Sequence, residues 1–143
     1  KHAAPYPIAA DNNIKAMVTR SKLKMEYDDG KKIITLITPA NNKVVISDQD
    51  KSILLQDQNN NKVELSSTGI LLDSPKDITI KAVGKVVIQA TQNVEATAQM
   101  DVKVTGLNIT NTANVGFTAK GTATAELSAA GQTTVKGAMV MIN

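Results

Sequence analysis

The chain has 143 residues, 42% of them hydrophobic, and a formal net charge of +3, a balance that excludes a chain too polar to build a core. One Phe, two Tyr and no Trp exclude a globule filled by aromatic rings, which leaves Ile, Val, Leu, Ala and Thr as the packing residues. Cysteine is absent, excluding a disulfide framework and any thiolate metal site.

No run approaches the roughly 18 apolar residues of a membrane helix, and no signal-peptide pattern opens the chain. The first residue is Lys1 rather than Met, so the chain is expected to be a piece of something longer. Its basic excess lies early: residues 1–32 hold seven Lys or Arg against four acids, whereas from Asp77 to Asn143 five Lys face four acids. Without an Arg cluster or aromatic residues to stack on bases, no nucleic-acid partner is expected.

In chain order, residues 1–25 read as an N-terminal arm or linker, since Pro5 and Pro7 disfavour regular structure. Residues 26–75 read as the entry into a β-helix with longer strand repeats, short strands between turns that continue an alternation starting with Leu23, Met25 and Tyr27. Apolar pairs recur at Ile34 and Leu36, Val44 and Ile46, Ile53 and Leu55, Val63 and Leu65, and Ile70 and Leu72. Alternation with period two within each pair predicts one buried face.

Residues 76–143 are more regular. Cut every eight residues from Asp77, the chain reads DITIKAVG, KVVIQATQ, NVEATAQM and DVKVTGLN. Three columns align, and they define a candidate core of Ile78, Val86, Val94 and Val102, then Ile80, Ile88, Ala96 and Val104, then Ala82, Ala90, Ala98 and Gly106. Past Gly106 the parity slips by one residue, which makes Leu107, Ile109, Ala113, Val115, Phe117, Ala119, Ala123, Ala125, Leu127 and Ala129 the expected inward set. A second slip is expected near Gly137. Helix is the rival reading, but 11 Thr and repeated Gly leave it no long uninterrupted segment.

An octad supplies one strand and a turn, too little to enclose an interior alone, and no stronger period of 24 is present to make a single-chain triangular coil. The predicted fold is therefore all-β: an intertwined, triple-stranded homotrimeric β-helix in which three identical chains each give one side per layer. That arrangement pairs strand edges between chains and leaves a thin axial core suited to Ile, Val and Ala.

The octads from KDITIKAV to the terminal GAMVMIN resemble the C-terminal spike of the VgrG family and of tailed-phage central spike proteins, and the stretch TRSKLKMEYDDGKKIITL resembles the entry into it. The likeness covers about Thr19 to Asn143, with Lys22 and Leu23 where the family often has Gly-His. The resemblance implies a preceding hub and small barrel domain, joined through the arm, and a role as the puncturing needle of a type VI secretion system or another contractile injection particle. It further implies hub, baseplate and tube partners on the N-terminal side and transient contact with a target membrane. Assembly would take place in the bacterial cytoplasm, followed by secretion or delivery into a target cell.

The last residues, Met139, Val140, Met141, Ile142 and Asn143, end the chain on an apolar cluster expected to be a docking platform. By the same resemblance its partner is a PAAR-type tip protein. A simple plug of the axial channel is the alternative.

Little here suggests chemistry. Asp57-Gln58-Asn59-Asn60-Asn61 imitates the start of a calcium loop, but Lys62 stands where glycine is needed and Thr68 where the closing Glu should be, so turn chemistry is expected. Asp28-Asp29 and Asp48 with Asp50 fall at predicted turns. His2 is the only histidine, so neither a Ser-His-Asp set nor a histidine-rich metal site is expected, and the chain reads as a non-enzyme without cofactor. A trimeric fibre or adhesin shaft remains an alternative, as does a sugar-binding β-solenoid using outward threonines such as Thr110, Thr112 and Thr118.

Overall fold

A computed structural model describes Tyr6 and residues 9–142, and among these it contains strands, turns and bends but no helix. The chain divides into two units, Lys1–Val87 and Ile88–Asn143.

The first unit is built on seven five-residue strands: β1 (Ile14–Val18), β2 (Lys24–Asp28), β3 (Ile33–Ile37), β4 (Lys43–Ser47), β5 (Ser52–Gln56), β6 (Lys62–Ser66) and β7 (Gly69–Asp73). They form one antiparallel sheet in sequence order, each strand hydrogen-bonded to the next. The region therefore folds by local hairpins between neighbouring strands. The sheet also starts earlier than the sequence suggests. Strand β1 lies inside the stretch read as an arm, and on the apolar face of the sheet it offers Met17 but also Lys15, opposite Tyr27. Residues 1–5 and 7–8 of that stretch, with Pro5 and Pro7, lie outside the described residues.

Successive hairpins repeat at 19 residues, a period that the alternation of apolar pairs conceals. Lys24, Lys43 and Lys62 open β2, β4 and β6 at this interval, and the preceding turns begin at Thr19, Thr38 and Asp57. Each of these turns closes the same way. Lys22, Asn41 and Asn60 donate their N–H to the carbonyls of Thr19, Thr38 and Asp57 at 2.9, 2.9 and 3.2 Å, and all three take positive φ, of 63°, 67° and 67°. A turn followed by a left-handed residue is a standard three-residue hairpin loop. Asn tolerates that conformation well; Lys does not advertise it.

Asp57 holds its turn with both carboxylate oxygens. Oδ1 accepts the N–H groups of Asn59 and Asn61 at 2.8 and 2.9 Å, and Oδ2 accepts their side-chain amides at 3.2 and 2.9 Å. The supposed calcium loop is thus closed on itself by turn chemistry. These bonds, with the Asn61 side chain foremost, hold the Asp57 carboxyl below the usual carboxylate range. Because the folded-state pKa is the lower one, the stabilisation is complete above the unfolded-state pKa and is lost as pH falls through the folded value. Asp57→Ala is expected to lower the melting temperature by a few degrees near neutral pH. The gap to the parent should close in acid; a pH-independent gap in parallel melts would contradict the assignment.

In the second unit there is no strand. Counting from the end of the sheet, bends fall at 75–76, 83–84, 91–92, 99–100, 107, 114–115, 122–123, 130–131 and 138. Between them run stretches that are neither helix nor turn, and beyond Gly69 none of the described residues has positive φ. The stretches start at 77, 85, 93 and 101, eight residues apart, then at 108 after a seven-residue step, then at 116, 124 and 132, and at 139 after another seven-residue step. The two short steps fall where the sequence parity slips, after Gly106 and near Gly137.

At one of these corners close approach rather than φ requires glycine: a Cβ at Gly121 would overlap the Thr124 carbonyl. At Gly137 the fit is merely tight, with a Cβ standing 3.1 Å from the Met139 carbonyl oxygen.

Candidate assembly surfaces

The strand register sorts side chains onto two faces. On one, Met17, Met25, Leu36, Val44, Leu55, Val63 and Leu72 lie opposite one another in a row across all seven strands. A second row runs from Tyr27 through Ile34, Ile46, Ile53 and Leu65 to Ile70, with Lys15 at its β1 end. All five apolar pairs picked out by the alternation in residues 33–73 lie on this face, together with Met25 and Tyr27. Leu23, just before β2 and opposite Thr19 at the β1–β2 turn, lines the groove on the same face.

The opposite face is mixed. It carries Lys24, Glu26, Lys43, Lys62, Glu64 and Asp73 beside Ile33, Thr35, Ile37, Val45 and Leu54. Lys24 pairs with Glu26 at 3.1 Å, and Lys62 lies 3.6 Å from Glu64 and 4.0 Å from Asp73. Tyr6 joins this face: its hydroxyl donates to Glu26 and accepts from Lys24 Nζ at 3.2 Å. Such part-exposed pairs contribute little to stability and serve mainly to keep the face wettable.

A folded domain normally covers its apolar face, and this chain does not. Among the described residues no hydrophobic side chain is buried, and Ser47 is the only buried residue, at 3% exposure. Leu55 is 54% exposed in the middle of its row. The total surface is 13913 Å², whereas a compact monomer of 15.1 kDa exposes about 7,100 Å². A groove of about 760 Å³ follows Leu36, Val44, Leu55, Val63 and Leu72 and reaches Ile78, the first residue of the octad columns. Everything needed for a core is present except the surface that would close it.

The octad residues show the same deficit. Ile78, Ile80 and Ala82 take the second, fourth and sixth places of the stretch 77–82; Val86, Ile88 and Ala90 take those of 85–90; Val94, Ala96 and Ala98 those of 93–98; and Val102 and Val104 the first two of 101–106. None is buried in the single chain. Beyond 107 the bends revise the inward set. Leu107, Val115 and Ala123 sit at bends, where the alternation is interrupted, so parity cannot be counted through them.

Restarting the count after each bend extends the columns to the end of the chain. The second place continues as Ile109, Phe117, Ala125, Thr133 and Val140; the fourth as Asn111, Ala119, Leu127, Val135 and Ile142. The sixth place holds only Ala or Gly from Ala82 to Gly137. Met139 and Met141 fall at odd places, like Thr79 and Lys81, whereas Val140 and Ile142 fall in the apolar columns. All four are exposed, between 51% and 91%. Asn143 lies outside the described residues.

For chemistry the described residues offer little: no group of three or more His, Cys, Asp or Glu side chains is placed to hold a metal ion. No helix among them is long and apolar enough to cross a membrane. No curated protein matches the sequence. Against protein families, however, the segment from β3 through β7 into the second octad is matched, and the description of that family names both a structural machine and trimerisation, which accords with a sheet and octads that lack a cover. Residues 33–88 match the phage baseplate V C-terminal trimerisation domain, consistent with the C-terminal domain of a VgrG or phage spike protein.

Proposed function

We propose that this chain is one third of a needle: three copies wind into a β-helix that punctures a membrane at the head of a contractile injection machine and carries a tip protein at its C-terminal end. The observation that carries the reading is the eight-residue spacing of bends beyond the sheet, in a chain with no buried hydrophobic residue among those described. A stretch of six residues between bends cannot enclose itself, and three such stretches meeting around an axis supply each other's missing wall. The trimerisation family matched over residues 33–88 supports the same stoichiometry. The role is mechanical, without an active site or cofactor. The particle assembles in the bacterial cytoplasm and acts outside it, with hub, baseplate and tube partners on the N-terminal side.

For the C-terminal end, the places of the last residues divide the work. Val140 and Ile142 continue the apolar columns and close the axial core, whereas Met139 and Met141 face a partner. Methionine's flexible, polarizable side chain suits an adaptable contact with a PAAR-type tip. Met141→Asp is expected to weaken tip binding at least about 100-fold while the trimer persists, since three charges would enter one apolar contact. Unchanged tip binding by calorimetry would refute the platform; loss of the trimer would make Met141 a core plug.

A further inference from the structure

The eight-residue repeat creates a problem that the needle must solve. Because successive octads present nearly the same columns, one chain displaced by an octad would still set apolar residues against apolar residues in most layers, with only the seven-residue steps from 101 to 108 and from 132 to 139 out of phase. Something must distinguish the true alignment from its neighbours.

One residue stands out. In the fourth column, between Val104 and Ala119 and in line with Ile88, Ala96, Leu127 and Val135, the stretch 108–113 places Asn111. A carboxamide among apolar side chains is unfavourable unless its N–H and C=O groups are bonded. Thr133, the polar member of the second column, can bond its hydroxyl to its own backbone while keeping its methyl inward, so it need not tie chains together. The longer Asn side chain reaches further from its strand.

We propose that Asn111 sets the register of the three chains. The inference rests on the three-chain reading above. At the level of Asn111, the carboxamide oxygen of each chain accepts from the amide of the next, closing a ring of three bonds. Displace one chain by an octad and its carboxamide faces apolar neighbours, while the other two lose the closed ring. A single polar residue in an apolar seam fixes register in this way in helical assemblies, at some expense in stability.

The test uses δ-methyl-labelled isoleucine and the signal of Ile109, two residues from Asn111 and in the adjacent column. The full-length trimer is expected to give one Ile109 signal, as three equivalent chains require. Asn111→Val should remain trimeric, melt no lower than the parent and show two or more Ile109 signals. Leu127→Val, an apolar change in the same column, should keep one. A single Ile109 signal from trimeric Asn111→Val would overturn the proposal, as would splitting in Leu127→Val, which would assign the effect to packing. If the parent itself is not trimeric by light scattering, the three-chain reading fails first, a result distinct from either.

Discussion

Leu55→Asp is expected to abolish assembly. Leu55 lies inside the apolar row that crosses the sheet, and its own chain leaves it 54% exposed. In the trimer each copy would forfeit burial of the part its own chain leaves exposed, about 0.8–1.6 kcal/mol. Three copies together weaken association by about a hundredfold to a thousandfold, before the penalty of bringing carboxylates into an apolar contact. Since no hydrophobic side chain among the described residues is buried in the isolated chain, the separated protomer should not retain the fold, and loss of mass in light scattering should coincide with loss of strand signal in circular dichroism. Gln58→Asp, at the exposed tip of the β5–β6 turn, is the matched control and should leave both unchanged. Equal disruption by the two variants, or a Leu55→Asp trimer of parental stability, would show that the apolar face is not what holds the chains together.

The second large effect is kinetic. If the chains wind around one another through successive layers, no protomer can leave without unpicking many strand contacts at once, and the barrier to dissociation is set by the whole length of the octad region. Labelled and unlabelled trimers mixed at 25 °C should show no measurable exchange over about a day, a rate at the slow end for folded domains. Heating through the melt and cooling should then scramble them. Exchange within minutes at room temperature would mean that the chains merely lie side by side.

What could be read from the sequence divides along physical lines. Alternation with period two marks a strand face wherever apolar residues supply it, so Ile34 with Leu36 and Val63 with Leu65 point to the face the register confirms. Strand β1 escapes because Lys15 takes an apolar place in that pattern. The 19-residue hairpin repeat escapes for a different reason: Lys22, Lys32 and Lys51 occupy left-handed turn positions where Gly or Asn would have signalled a turn, as Asn12, Asn41 and Asn60 do. The octads are legible because each column is filled by chemically similar residues. Their continuation is not, since a bend interrupts side-chain alternation and parity cannot be carried through Leu107 or Val115. Asn111 could have been found by restarting the count after Gly106, which puts a carboxamide in line with Val104.

The central claim is that this chain completes its core only with two more copies of itself, and its most direct test is the absolute mass in solution. Multi-angle light scattering of the purified chain at micromolar concentration should give a single species of three times 15.1 kDa, with strand-rich circular dichroism. A monodisperse species of 15.1 kDa with the same strand signal would contradict the account, because a folded monomer would have to bury apolar rows that the single chain leaves open.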